Sequence, residues 1–257
     1  LIAFNGESKI TGRVMDLNVD TVIDTAWIVS KLRVAAELRD QLYDAPFYRL
    51  IHAEADGLPG VIIDRFGDAF VVQPNAAWAE KMMPEITDAL EQIFSPKIIL
   101  KNAAGRARAL EGLDLENVFI KGSSDKPIPV LMNGATYMAD ITGGQKTGLF
   151  FDQRENHAFV SKLAKGGAML DVFSHVGGFS LAALAGGAVS ALAIDSSQPA
   201  LNLAIAGAEA SGFSNSFSTR KSDAFDAMSE LAEEGETYQV VVCDPPAFAP
   251  SKPTLDR

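Results

Sequence analysis

The feature that most constrains the fold is a regular alternation of helices and strands in the second half of the chain. Between residues 153 and 243 the apolar pattern predicts four helices, and a short buried strand follows each of them. Parallel strands need a crossover connection, which is usually a helix, so the alternation predicts a parallel α/β sheet. Ligands bind such sheets beyond the carboxyl ends of the strands, where the strand order reverses. The predicted helices are residues 153–164, 178–185, 198–211 and 224–233, and the predicted strands are residues 168–173, 189–194, 216–219 and 239–243.

The first half of the chain has a different pattern. Residues 10–22 are strand-like, and residues 26–42 have helical periodicity. Short apolar runs between turn residues then predict a small α+β domain with one amphipathic helix at residues 80–94. We therefore predict a terminal segment with a linker helix (1–43), a central α+β domain (44–140) and an α/β domain (141–257). The predicted strands of the central domain are residues 48–54, 61–65, 70–73, 98–101, 118–121, 130–132 and 136–139.

The formal net charge of −11 argues against a nucleic-acid partner, because phosphate binding normally needs a basic surface. Four basic residues form a local cluster in this acidic protein, and we interpret them as part of a solvated strand and loop. They are Lys97, Lys101, Arg106 and Arg108.

Other features of composition bear on location and metal binding. The single cysteine cannot form an internal disulfide, and no secretory signal opens the chain, so a cytoplasmic protein is expected. Residues 177–194 carry no charge, but glycines interrupt them, so a buried helix and strand are predicted and no membrane span. The three histidines lack metal-ligand spacing, so no metal site is predicted.

The first predicted strand of the α/β domain leads into a glycine-containing turn. The strand carries Asp171, and Ser174, Gly177 and Gly178 follow before the next helix. Paired glycines there let the backbone come close to a ligand at the helix N-terminus, although a tight strand-to-helix turn explains them equally well. The G-x-G-x-x-G fingerprint of dinucleotide-binding proteins is absent, which argues against a nicotinamide enzyme.

Acidic residues also end the other three predicted strands. The Asp195 carboxylate can accept both ribose hydroxyls of an adenosine cofactor, and helix capping is the alternative. Asp223 can accept from an adenine amino group or cap the following helix, and both interpretations stay open. Asp244 opens the sequence Asp-Pro-Pro-Ala-Phe, in which the prolines rigidify the strand exit. Asp244 and Phe248 are therefore predicted to hold a flat, polar ring by hydrogen bonding and stacking.

A glycine-flanked aromatic segment, residues 143–154, precedes the α/β domain. One interpretation is an interdomain loop in which Asp152 caps the following helix. The other is a segment that closes over the cofactor, with Lys146 and Arg154 as cationic contacts.

Four segments in order resemble a known family. Residues 144–148 with 152–154, then 173–179, then 244–248 are similar to the class I ribosomal RNA large-subunit methyltransferases. The branch they resemble is the cytosine-C5 type with an N-terminal PUA domain, and residues 54–67 resemble the central domain of that branch. The similarity extends over roughly residues 45 to 257, and residues 1–43 would be a remnant of the PUA-like domain with its linker helix.

The resemblance implies a Rossmann-like class I methyltransferase sheet, truncated after its fourth strand, and S-adenosylmethionine as the cofactor. It implies large-subunit (23S) ribosomal RNA as the partner, no membrane, no metal, and allows a homodimer. Asp244 and Phe248 would position the substrate base. The implied cofactor-binding residues are Lys146, Phe150, Asp152, Gln153, Arg154, Asp171, Phe173, Ser174, Gly177, Gly178, Asp195, Ser196, Asp223, Ala224 and Asp244.

The chain departs from this branch in ways that bear on mechanism. His175 and Val176 replace the tyrosine and threonine that the branch commonly has. Methylation at cytosine C5 needs a cysteine thiolate that adds to C6, and the branch places that cysteine on a later strand, which would lie beyond Arg257. The one cysteine present, Cys243, is interpreted as a small core residue of a buried strand.

Two alternatives remain open from the sequence. One is methyl transfer to a purine nitrogen, such as guanine N7 or an amino group, which needs no cysteine because the lone pair attacks directly. The other is a non-catalytic protein that binds S-adenosylmethionine or RNA.

Overall fold

The computed structural model describes residues 1–143 and 148–246. It contains two compact units. The first comprises Leu1–Ile128 with Asp140–Phe151, and the second comprises Pro129–Ala139 with the chain from Asp152 onward. The boundaries of the three predicted parts remain predictions.

The first unit is built around a mixed five-stranded sheet. The strands run in the order β3-β4-β5-β6-β7, with parallel pairing only between β5 and β6. Helices α1 and α3 pack together and contribute to one apolar core with β3, β4 and β5. The elements are β1 (Ile2–Phe4), β2 (Gly12–Val14), α1 (Thr25–Leu42), β3 (Phe47–His52), β4 (Val61–Phe66), β5 (Ala69–Pro74), α2 (Ala77–Lys81), α3 (Met83–Phe94), β6 (Ile98–Lys101), α4 (Arg106–Leu110) and β7 (Val118–Lys121).

Two sequence predictions for this unit are wrong. The strand-like segment at residues 10–22 is a strand only in β2, because the Asp16 and Asn18 side chains then accept backbone N–H groups two residues on and bend the chain. The single helix predicted at residues 80–94 is two helices that meet at Met82. Pro84 has no N–H to continue the first helix, but it is well suited to the first turn of a new one.

Two residues of the predicted basic cluster are not part of a solvated surface. Arg108 is completely buried, and Lys101 is nearly so. Arg108 Nη1 and Lys101 Nζ lie 2.7 Å and 2.9 Å from the carboxylate oxygens of Glu80. Lys97 fits the prediction, since its exposed ammonium pairs with exposed Asp68, and the side chain of Arg106 lies outside the described part of the structure.

The second unit contains a four-stranded parallel sheet in the order β12-β11-β10-β13. A separate antiparallel hairpin, β8-β9, contacts helices α6 and α7. The alternation predicted from the sequence is confirmed, and both ends of α6 and α8 agree residue for residue. The elements are β8 (Ile128–Met132), β9 (Ala135–Ala139), α5 (Arg154–Leu163), β10 (Ala168–Val172), α6 (Gly178–Ala185), β11 (Ser190–Asp195), α7 (Gln198–Ala210), β12 (Phe217–Lys221), α8 (Ala224–Glu233) and β13 (Val240–Cys243).

The prediction that Cys243 is a core residue is wrong. Cys243 is exposed, and so is Val241, whose side chain is 54% accessible. Within the described residues β13 is a terminal strand of the sheet and pairs only with β10, so one of its edges is uncovered.

The uncharged segment at residues 177–194 forms α6, a turn and most of β11. In the described ranges, no helix has both the length and the apolar character needed to cross a bilayer.

Candidate functional site

The predicted site residues of the second unit gather at one edge of its parallel sheet. From β10 the chain adds β11 and then β12 on one side, and β13 pairs on the other side of β10. The order therefore reverses between β11 and β13, which is where parallel α/β sheets bind ligands. Val172 at the end of β10 is level with Ile194 and with Cys243, so Asp195 and Asp244 follow on either side of it.

The turn between β10 and α6 has an unusual backbone. Phe173, His175 and Gly177 all have positive φ angles, of 64°, 50° and 77°. This conformation costs side-chain-bearing residues roughly 1–2 kcal/mol each, and such costs cluster at functional sites. At Gly177 an added Cβ would also lie 3.1 Å from the Ala204 Cβ. Gly177 is therefore required by the conformation of this turn.

Asp195 holds this turn in place. Its Oδ2 accepts a hydrogen bond of 2.8 Å from the His175 backbone N–H, and its Oδ1 accepts one of 2.8 Å from Ser197 N–H. The cap of helix α7 is Ser197, whose side chain accepts from Ala200 N–H, so the capping interpretation of Asp195 is wrong. A carboxylate has about four acceptor positions, so Asp195 retains capacity for ligand hydroxyls.

Asp171 is buried beneath the turn. Its Oδ2 accepts from both the backbone N–H and the hydroxyl of Ser180, each at 2.9 Å. Burial raises the pKa of Asp171 to about 6, the two Ser180 hydrogen bonds oppose this, and the charge of Asp195 adds to it. Asp171 therefore anchors the first turn of α6, and direct contact with a cofactor stays a prediction.

Two buried residues that were not predicted from the sequence, His157 and Tyr137, support the same turn. His157 lies against the Phe179 ring, with centroids 4.5 Å apart, and Tyr137 donates a hydrogen bond to the Gly178 carbonyl. A Cβ at Gly178 would lie 2.7 Å from His157 Cε1, so only glycine fits. Burial lowers the pKa of His157 to about 4, which keeps the ring neutral.

Asp223 caps helix α8. Its Oδ1 accepts from the N–H groups of Phe225 and Asp226, at 2.8 Å and 3.3 Å. The capping role is thus observed, and the adenine role remains a prediction.

Asp244 is linked to α5 by side-chain amides. Gln153 Nε2 donates to Asp244 Oδ2 at 3.2 Å, and Asn156 Nδ2 donates to Gln153 Oε1 at 2.6 Å. The three residues border a groove of about 280 Å³ that also contacts Phe159 and Phe179. Asn156 was not predicted as a site residue, although a spacing of three residues from Gln153 places side chains on one helix face.

The other predicted residues differ in their surroundings. Arg154 is nearly buried, and its carbonyl accepts from Asn133 Nδ2. Ser174 is buried, and its hydroxyl has no hydrogen-bond partner among the described residues. Asp152 and Ser196 are exposed, Phe173 packs against the sheet, and Ala224 is buried at the start of α8. Phe150 is half-buried and belongs to the first unit, and Lys146 and Phe248 lie outside the described residues.

Comparison with known proteins identifies methyltransferases as the similar proteins. The sequence model of the S-adenosylmethionine-dependent methyltransferase family matches residues 105–255, which is more than half of the chain. "Ribosomal RNA large subunit methyltransferase I" of Aeromonas salmonicida is 38% identical over 98% of this chain, and the Erwinia tasmaniensis protein of that name is 34% identical over 98%. The chain spans 65% of the length of each.

The fold has a counterpart among solved structures. The crystal structure of SMU.776 complexed with SAH superposes with a TM-score of 0.81 at 22% identity, and the match covers 98% of this chain and 65% of that one. At this identity the likeness establishes a shared mixed α/β fold.

Proposed function

Because the chain belongs to the S-adenosylmethionine-dependent methyltransferase family, we propose that it methylates cytosine C5 of 23S ribosomal RNA. The observation that carries this proposal is the reversal of strand order at β10, which puts Asp195 and Asp244 on opposite sides of one strand end. A cofactor and a substrate base can then bind side by side. The names of the relatives, which specify large-subunit ribosomal RNA, support the choice of substrate.

The residues at this edge fit the cofactor of the family. The buried Ser174 hydroxyl lacks a partner within the described residues, which is costly unless a ligand supplies one. Asp195 has acceptor capacity for ribose hydroxyls, and Asp223 for an adenine amino group. When bound, S-adenosylmethionine would supply an electrophilic methyl group. The cofactor would be held by residues 173–178, Asp195 and Asp223. We also propose cofactor contacts for Lys146, Phe150, Asp152, Arg154 and Ser196.

We also propose the class of the sheet, the residues that hold the base and the location of the protein. The sheet would be the first four strands of a Rossmann-like class I methyltransferase sheet, since the order β12-β11-β10-β13 places the first strand of the domain in the middle. Asp244 and Phe248 would hold the target base. A ribosomal substrate also implies a cytoplasmic location.

The test is methyl transfer by the complete protein to undermethylated 23S ribosomal RNA with labelled cofactor, followed by mass mapping of the modified base. We expect label at one cytosine C5. Asp244→Asn should lower kcat on the order of 100-fold, because an orienting acceptor at the base is lost. Weaker cofactor binding in this variant would show that Asp244 also contacts the cofactor, as the family resemblance implies. Asp226→Asn, at an exposed acidic residue of α8, is the matched control and should be fully active.

Other outcomes separate the alternatives. Label on a guanine would replace the C5 assignment with transfer to a purine nitrogen. Tight cofactor binding without any labelled RNA would indicate a non-catalytic binding protein.

A further inference from the structure

We propose that Gln153 and Asn156 are positioning residues on the substrate side of the site, which hold the Asp244 carboxylate in one orientation toward the target base. This inference rests on the proposed function. It also changes the role of Gln153, which the family resemblance places among the cofactor contacts.

Hydrogen-bond chemistry fixes the direction of the chain of three side chains. An ionised carboxylate only accepts, so the Gln153 atom that faces Asp244 Oδ2 must be the amide nitrogen. The Gln153 oxygen then faces α5, where it can only accept, and Asn156 must present its own nitrogen. The charge of Asp244 thus sets the orientation of both amides, and the amides in turn restrict the rotation of the carboxylate.

The position of these three side chains explains why restricting the rotation of the Asp244 carboxylate is useful. Asp244 is exposed directly after β13, a terminal strand of the described sheet, where an isolated carboxylate would rotate freely. Asn156 belongs to the first turn of α5, so its backbone is rigid, and it links the strand end to a helix through a half-buried glutamine. A site held to the productive orientation by neighbouring hydrogen bonds loses less entropy when the substrate binds.

Gln153 and Asp244 also have hydrogen-bonding groups that remain available for a base. Gln153 has a second amide proton, and the Asp244 carboxylate has a second oxygen. This donor and acceptor complement the N3 acceptor and the N4 amino group of cytosine. The aromatic side chains Phe159 and Phe179 border the same groove, and single-stranded RNA bases are commonly held by such rings together with hydrogen bonds.

The decisive variant is Asn156→Asp, which changes a donor into an acceptor at constant size. Aspartate cannot donate to Gln153, so the Gln153 oxygen then faces a carboxylate, either the new one or that of Asp244. In both orientations two acceptors oppose each other, and the hydrogen bonds that restrict the rotation of Asp244 are weakened. In the complete protein we expect kcat for RNA methylation to fall about tenfold, with the cofactor dissociation constant changed less than about twofold.

Helix α7 contains a similar pair of amide side chains that provides a matched control. Gln198 Nε2 donates to Asn202 Oδ1 at 2.9 Å, so Asn202 acts there as an acceptor. Asn202→Asp makes the same substitution and adds the same charge, but aspartate still accepts. We expect kcat to be unchanged in this variant.

Side-chain amide NMR provides a readout that does not depend on methyl transfer. In Asp244→Asn the ¹⁵N resonances of both Gln153 and Asn156 should shift, and that of Asn202 should not. Unshifted resonances, unchanged kcat in Asn156→Asp, or loss of cofactor affinity in that variant would each overturn the inference. Absence of RNA methylation by the unmodified protein, with the resonance shifts observed, would instead refute the proposed function and its base-positioning role together, and leave the hydrogen-bonded chain established.

Discussion

The two units treat their buried polar groups in different ways. In the first unit, buried charges have ionic partners: Arg108 with Glu80, and Arg49 with Asp64 at 2.9 Å. In the second unit, the buried Asp171 carboxylate below the β10–α6 turn has neutral partners, the hydroxyl and the backbone N–H of Ser180. His157 Nδ1 and Ser174 Oγ have no hydrogen-bond partner among the described residues.

The contrast concerns the charged groups, since unpartnered buried polar atoms occur in both units, for example Thr87 Oγ1 in the first and Ser174 Oγ in the second. A paired buried charge is strongly destabilising to break, because the remaining partner is left uncompensated. An unpartnered polar group lowers stability in the absence of ligand, at about 1–3 kcal/mol. Such groups are retained where a ligand or a constrained backbone needs them.

The largest expected effect is on the first unit. Arg108→Met should lower the free energy of unfolding by about 3 kcal/mol, because Glu80 and the Pro74 carbonyl lose the donor that Arg108 supplies to both. Denaturant titration measures this change. Lys97→Met, at the exposed Lys97–Asp68 pair, is the control and should leave stability unchanged. Equal effects in the two variants would remove the distinction between buried and surface pairs.

The second prediction concerns His157 in the second unit. Its pKa is lowered by burial from 6.5 to about 4, so folding favours the neutral ring and stability is lost as the pH falls from about 6.5 to 4. The full loss corresponds to about 3 kcal/mol. His157→Gln should remove this acid dependence, as judged by denaturant titrations at pH 7 and at lower pH. A variant with the same acid sensitivity as the unmodified protein would contradict the burial of the ring.

Asp171 should show the opposite pH dependence. Burial raises its pKa from 3.8 to about 6, so the folded state favours the neutral carboxyl, and stability is lost as the pH rises from about 4 through 6. The cost above pH 6 is at most about 3 kcal/mol. Asp171→Asn keeps an acceptor for Ser180 and should be more stable than the unmodified protein at neutral pH by up to that amount. Equal stability of the two proteins at neutral pH would show that ionised Asp171 carries no burial cost.

The smallest effect separates the two interpretations of Asp223. Asp223→Ala should destabilise the protein by about 1 kcal/mol because the α8 cap is lost, whereas Asp223→Ser should retain the cap. If Asp223 also binds adenine, calorimetric titration will show weaker cofactor binding in both variants. Unchanged affinity in the serine variant would leave Asp223 with the capping role alone.

Much of the second unit was predictable because its signals are local. Helix and strand periods determine the alternation, and acidic residues directly after apolar runs determine which side chains reach the edge of the sheet. The contact of Gln153 with Asp244 was not predictable, because it joins residues that are distant in the chain. The support of the turn by His157 has the same origin, since a lone histidine on a helix gives no sign of what it packs against.

The wrong predictions in the first unit, and that for Cys243 in the second, have local and non-local causes. Pro84 is typical of a helix start, but the apolar period of residues 80–94 extends across it and predicts a single helix. The burial of Lys101 and Arg108 depends on Glu80, which lies on another helix, so charge alone predicted a surface. For Cys243, an apolar run predicted a strand covered on both sides, whereas β13 has one uncovered edge among the described residues.

The position of β10 in the middle of its sheet has a consequence for biosynthesis. Strands β10, β11 and β12 follow one another and can pair as soon as they leave the ribosome, but the other edge of β10 stays unpaired until Val240–Cys243 has been made. An exposed edge on a nascent chain is open to mispairing, and pairing over a long loop is slow. Slower translation between α7 and β13 should therefore lower the soluble yield more than equal slowing ahead of β10.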